Sequence, residues 1–118
     1  MTTDPRTLAT TYLESWRTKD FDTMRTVLAG DVTFAGVLGT AKGVEECMAG
    51  VIGLGKIMTD IVIHQMVVEG SDVMTWYDLC TVVAPPTPTV NWSRVEDGKI
   101  AAIRAVFDPR DLLAGMAG

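Results

Sequence analysis

The second half of the chain sets the strongest limit on its fold. Four apolar runs succeed one another there: IVIHQMVVEG (61–70), DVMTWYDLCTVV (72–83), VNWSRV (90–95) and KIAAIRAVF (99–107). Their β-branched and aromatic residues suit a pleated, half-buried surface. Gly70-Ser71 and Asp97-Gly98 are hairpin turn signals, and Ala84-Pro85-Pro86-Thr87-Pro88 is a rigid, extended connection. The pattern predicts a mostly antiparallel meander, one face of which must be covered by other elements.

The first half supplies the cover. Leu8, Tyr12, Leu13 and Trp16 recur at helical spacing within residues 5–19, behind an Asp4-Pro5 start in which Asp4 caps the helix and proline takes its first position. A second, shorter helix is expected from Asp20 through Phe21, Met24, Val27 and Leu28, with Gly30 taking the left-handed conformation that ends it. DVTFAGVLG (31–39) reads as a strand running into a glycine-bearing turn. Val44, Cys47, Met48, Val51 and Ile52 predict a third helix to about Leu54, weakened by glycines 50, 53 and 55. After the last strand, Asp108 is expected to cap a short helical turn that starts at Pro109. The fold class predicted is α+β: a curved, mostly antiparallel sheet with three N-terminal helices covering one face, in one domain spanning 1–118.

Composition narrows the function classes. With 47% hydrophobic and 21% charged residues the chain is too apolar for disorder, and no apolar run approaches membrane-spanning length. The start, MTTDPRTLATTYLESW, has no basic region followed by an apolar stretch, so a cytoplasmic location and no membrane partner are expected. A net charge of −5, with the ten basic residues scattered, argues against a nucleic-acid partner. Cys47 and Cys80 fall on different predicted elements and read as reduced, buried small hydrophobes. One histidine gives no zinc constellation. GLGK (53–56) lacks both the upstream glycine spacing and the following Ser/Thr of a phosphate-binding loop. Neither a metal nor a cofactor is expected.

The order helix, helix, strand, helix and then long antiparallel strands resembles the nuclear transport factor 2-like superfamily, which includes SnoaL-like polyketide cyclases, ketosteroid isomerases and limonene-epoxide hydrolases; the resemblance implies a cone-shaped sheet whose concave face the three helices cover. TYLESWRTKDFDTMRTVLAGDVTF resembles its paired amino-terminal helices and first strand, and RVEDGKIAAIRAVFD its closing hairpin. By likeness to ketosteroid isomerases, Tyr12 falls on the tyrosine that donates to the substrate oxygen and Asn91 on or beside the second donor. The position of their general base falls at Gly36, and glycine cannot move a proton. By likeness to limonene-epoxide hydrolases, Asp78 matches the aspartate of a strand, Trp76 stands where an arginine would, and Ala105 stands where the water-activating carboxylate would.

Alternation along 73–81 puts Trp76, Asp78 and Cys80 on one face and Val73, Thr75, Tyr77 and Leu79 on the other. The resemblance places the first set toward the cavity, with Asn91, Ser93, Ile103, Ala105 and Phe107 from the later strands. There Asp78 would be a desolvated carboxylate with a raised pKa, fit for proton transfer, while Tyr12 and Asn91 polarise a carbonyl or hold an oxyanion. An ion pair with Arg94 or Arg104 is the alternative reading of Asp78. His64 shares a face with Val62 and Met66; inward it would be a second base, outward a satisfied histidine at a sheet or dimer surface. Trp16, Gly36, His64, Trp76, Ser93, Ala105 and Phe107 are the expected substrate-binding residues.

The expected function is proton transfer on a small apolar oxygenated molecule, of isomerase, cyclase or epoxide-hydrolase type. The alternative is noncatalytic binding of such a molecule on the same fold. A homodimer through the outer sheet face is expected, since Tyr77, Trp92 and Val106 would otherwise form an exposed apolar patch.

Overall fold

A computed structural model describes residues 4–117. The chain runs through α1 (Pro5–Thr18), α2 (Phe21–Val27), β1 (Leu28–Gly36), β2 (Gly39–Lys42), α3 (Val44–Gly55), β3 (Met58–Glu69), β4 (Asp72–Thr81), β5 (Thr87–Glu96), β6 (Lys99–Phe107) and α4 (Arg110–Ala117). All six strands form one curved, unclosed sheet in the order β2-β1-β6-β5-β4-β3. Every neighbouring pair is antiparallel except β1 and β6, which run parallel. None of the described helices is long and apolar enough to cross a membrane.

Local chemistry explains the element ends. Asp4 accepts hydrogen bonds from the Thr7 backbone N–H at 2.8 Å and the Thr7 hydroxyl at 2.9 Å, so one carboxylate satisfies an orphan donor of α1. Asp20 does the same for α2 through the Thr23 N–H at 3.2 Å. Asp97 (φ 52°) and Gly98 (φ 74°) both take left-handed backbone, as a two-residue β5–β6 hairpin of matching twist requires. Asp108 accepts from the Arg110 N–H at 3.0 Å, but the chain beyond it forms an eight-residue helix rather than a single turn. That helix is held by Leu112, which is fully buried, and by Gly115, which lies so close to the Val83 carbonyl that a side chain there would collide with it.

Three boundaries differ from expectation. Gly30 does not end α2: the helix stops at Val27 and Gly30 lies inside β1, without positive φ. The glycine turn after β1 leads into a separate short strand, β2, which pairs antiparallel with it from Gly36↔Gly39 to Thr33↔Lys42. β5 begins at Thr87, inside the proline-rich connection, with Pro88 exposed opposite Asp78.

The core sits between α1, α2, α3 and the concave sheet face, with Leu13, Met24, Met58, Leu79, Ile100 and Ile103 among its fully buried side chains. On β4 it is Val73, Thr75, Tyr77 and Leu79 that point into this core, while Trp76 is 51% exposed and Asp78 and Cys80 are half-buried on the convex face. This reverses the expected faces of β4. The register gives the reason: Thr75 lies opposite Asn91 and Tyr77 opposite Thr89. Residues directly opposite share a face, so an inward Asn91 requires an inward Thr75 and an outward Trp76.

A second surprise lies on β3. Ile63 pairs with Tyr77, yet Gln65 pairs with Trp76, so one extra residue, His64, is accommodated as a β-bulge. The bulge breaks the period of two. Val62 and His64 therefore face outward, whereas Met66, two residues further on, is half-buried against the core.

Candidate active site

A cavity of about 400 Å³ opens between the helices and the sheet. Its floor is β4, β5 and β6, through Tyr77, Leu79, Thr89, Asn91, Ala105 and Phe107. Tyr12 and Trp16 of α1 and Cys47, Val51 and Leu54 of α3 cover it, and the β1–β2 hairpin, from Phe34 to Ala41, forms its lip. A largely apolar hollow with few polar groups is the usual form of a small-molecule site.

Of the residues expected here, Tyr12, Trp16, Gly36, Asn91, Ala105 and Phe107 line the cavity. Gly36 has a steric role: a Cβ there would fall 3.0 Å from the Phe34 ring, so the missing side chain leaves the ring its place at the lip. The Trp16 indole N–H donates to the Val51 carbonyl at 3.0 Å, tying α1 to α3 and leaving only its ring for a ligand. Ser93 is buried on the same sheet face but lies outside the lining; its hydroxyl donates to Asn91 Oδ1 at 3.1 Å. With that oxygen occupied, the Asn91 amide nitrogen is left to donate, one of its two hydrogens toward the Tyr77 hydroxyl.

Asp78, His64 and Trp76 do not reach the cavity. They form a cluster on the convex face, where His64 Nε2 lies 3.0 Å from Asp78 Oδ2 and the His64 and Trp76 rings are 4.8 Å apart. The partner of Asp78 is thus neither Arg94, which pairs with Asp72 at 3.4 Å, nor Arg104. The desolvated interior base has no counterpart in Asp78, because the register turns that side chain away. Among the described residues no group of three His, Cys, Asp or Glu side chains converges to hold a metal ion, and Cys47 and Cys80 are free thiols.

Sequence reasoning missed Tyr77, Thr89 and Glu46. Tyr77 is 2% exposed, and burial pushes its hydroxyl up to about 12, opposed by a hydrogen bond with Asn91. Burial raises the Tyr12 hydroxyl further still. Both phenols are therefore neutral donors across the physiological range. Glu46, in the first turn of α3, is the one carboxylate on the lining among the described residues; its Oε1 accepts the Lys42 backbone N–H at 3.0 Å. The signal for Tyr77 was available in the β4 alternation, since Val73, Tyr77 and Leu79 form a more apolar set than Trp76, Asp78 and Cys80. No comparable signal marked Glu46, which looks like an ordinary first-turn acid.

A curved, unclosed sheet covered by helices, with a pocket between them, is the nuclear transport factor 2-like fold. Residues 9–103 match the family model described as SnoaL-like domain, and the chain belongs to that family. Three solved structures illustrate the likeness. A protein of this fold from Cytophaga hutchinsonii, of unknown function, is 26% identical, with TM-score 0.84 over 96% of this chain and 97% of its own. A putative ketosteroid isomerase from Kribbella flavida is 14% identical, with TM-score 0.80 over 88% and 77%. A Mycobacterium tuberculosis epoxide hydrolase of the limonene-epoxide hydrolase-like type is 21% identical, with TM-score 0.76 over 93% and 86%. Comparison with curated proteins gave no significant match.

Proposed function

We propose that this protein binds a small, mostly apolar molecule in the cavity through a carbonyl- or epoxide-type oxygen, which Tyr12, Tyr77 and Asn91 polarise. The observation that carries this reading is the set of neutral donors in an otherwise apolar hollow: two phenols that burial keeps protonated and an amide whose oxygen is already occupied. Away from bulk water such donors act strongly on an oxygen that gains negative charge. Binding without turnover is the simplest activity of this site, because its sheet floor holds no carboxylate or imidazole.

Proton-transfer catalysis of isomerase, cyclase or epoxide-hydrolase type is the second reading, supported by the fold shared with a putative ketosteroid isomerase and an epoxide hydrolase. Calorimetry with acetophenone tests the first reading, and deuterium exchange at the acetophenone methyl, followed by NMR, tests the second. Acetophenone should bind, and Tyr12→Phe and Tyr77→Phe should each weaken it about fivefold, the worth of one ordinary hydrogen bond. Equal binding to the double variant would remove the donors from the account. Exchange above the buffer rate would move the protein from binder to catalyst.

We also propose a homodimer through the convex sheet face, which exposes Val67, Met74, Trp76, Val90 and Val106. Tyr77, expected there from the sequence, points inward, and Trp92 is half-buried beneath Arg94 and Arg104. A patch of this kind in water is a common mark of an interface. Light scattering after gel filtration should give twice the chain mass, and a Trp76→Glu, Val106→Glu variant should run as a monomer; a monomeric parent protein ends the proposal.

A further inference from the structure

The charge distribution around the cavity narrows the ligand further, given that the cavity is a ligand site as proposed above. Five of the eight aromatic residues of the chain line it: Tyr12, Trp16, Phe34, Tyr77 and Phe107. None of the ten lysines and arginines does. Among the described residues the only charged one on the lining is Glu46. Its neighbour Glu45 is spent on Arg25, with a 2.6 Å contact on the outer surface of α3, whereas Glu46 enters no ion pair among the described residues. One Glu46 oxygen is held by the Lys42 N–H, which fixes the carboxylate where β2 meets α3, beside the lip of the cavity.

An anionic ligand would meet a like charge at Glu46 and no cation among the lining residues, within a protein that is already at −5. A protonated amine would meet the carboxylate, and aromatic faces attract ammonium groups through their quadrupoles. We infer that the cavity selects amine-bearing ligands: an apolar, carbonyl-containing body with an ammonium group that sits at Glu46, to the exclusion of carboxylate analogues.

The test uses three molecules that share an acetophenone body and differ only at the far end: 4-acetylbenzylamine, 4-acetylbenzyl alcohol and 4-acetylphenylacetate. Titrated into the full-length protein by calorimetry at neutral pH and low salt, the amine should bind about fivefold more tightly than the alcohol, as an exposed ion pair with aromatic support allows. The carboxylate should bind more weakly than the alcohol. In Glu46→Gln the ratio of amine to alcohol affinity should fall to near one, and added salt should shrink it in the parent protein. An amine that binds no better than the alcohol, or an advantage that survives in Glu46→Gln, overturns the inference while leaving the binding site itself standing. Failure of all three, and of acetophenone, overturns both.

Discussion

The two faces of the sheet treat polar groups in opposite ways. The concave face buries Thr75, Thr87, Thr89, Asn91 and Ser93, all neutral, and no fully buried side-chain nitrogen or oxygen among the described residues lacks a partner. The convex face carries the charges: Asp72 with Arg94, Asp78 with His64, and Arg104 near Trp92. Burying an unpaired charge costs far more than burying a hydrogen-bonded hydroxyl or amide. A strand that must present both kinds of group sorts them by alternate residues, so Tyr77 and Asp78, adjacent in sequence, live in different solvents. The comparison teaches that the sheet offers the cavity only neutral polar groups, with charge at its lip in Glu46.

The largest effect expected from that contrast is alkaline. Tyr12 and Tyr77 are the only tyrosines in the chain, and both are buried on the cavity wall. The folded Tyr77 hydroxyl is pushed up from 10.0 to about 12 by burial. Between those values the unfolded chain releases a proton that the folded chain keeps, so the unfolded state binds fewer protons and stability falls as pH rises. Two units correspond to roughly 3 kcal/mol lost by the upper end of that window, and Tyr12 adds to it. Melting midpoints measured from pH 8 to 12 should fall steeply above about 10, and tyrosinate absorbance should appear together with unfolding rather than before it. A Tyr12→Phe, Tyr77→Phe variant should flatten the profile. Tyrosinate that forms in the folded protein would place the phenols in water and erase the difference between the two faces.

Much of this architecture was legible in the sequence because local signals agreed with the global fold. The limits of β6 are set by KIAAIRAVF between Asp97-Gly98 and Phe107-Asp108, and α1 by its cap and its stripe of Leu8, Tyr12, Leu13 and Trp16. The covered sheet came from the same signals, whereas the cavity residues Tyr12, Asn91 and Phe107 came from the resemblance to the superfamily, since periodicity alone marks them only as core. Alternation sorts β4 into two sets but leaves the inner one to be chosen by composition, where only the more apolar character of Val73, Tyr77 and Leu79 speaks, and a shift of one residue inverts the whole set. Pairing with β5 decides that for β4, and pairing is nonlocal. The His64 bulge is a nonlocal property too: nothing in IVIHQMVV says that period two fails there, yet the extra residue is what turns Met66 inward while His64 stays on the outer face with Val62. β2 was lost because GTAK is short and carries no apolar alternation.

The smallest effect concerns the residue that the sequence made most conspicuous. Asp78 and His64 are 28% and 36% exposed and 3.0 Å apart. Water screens a pair so placed, and such pairs contribute at most about 1 kcal/mol. Asp78→Asn should therefore lower the melting midpoint by no more than a few degrees for a domain of this size. Its affinity for acetophenone should match that of the parent protein, while Tyr77→Phe, one residue away, weakens it. The two adjacent substitutions separate the faces more sharply than distant ones would, because they share a backbone and a strand. If Asp78→Asn costs as much ligand affinity as Tyr77→Phe, the convex cluster acts on the cavity through β4 and the faces are coupled. If it costs none, the carboxylate that stood out in the strand serves the outer surface, and the cavity works with phenols and an amide.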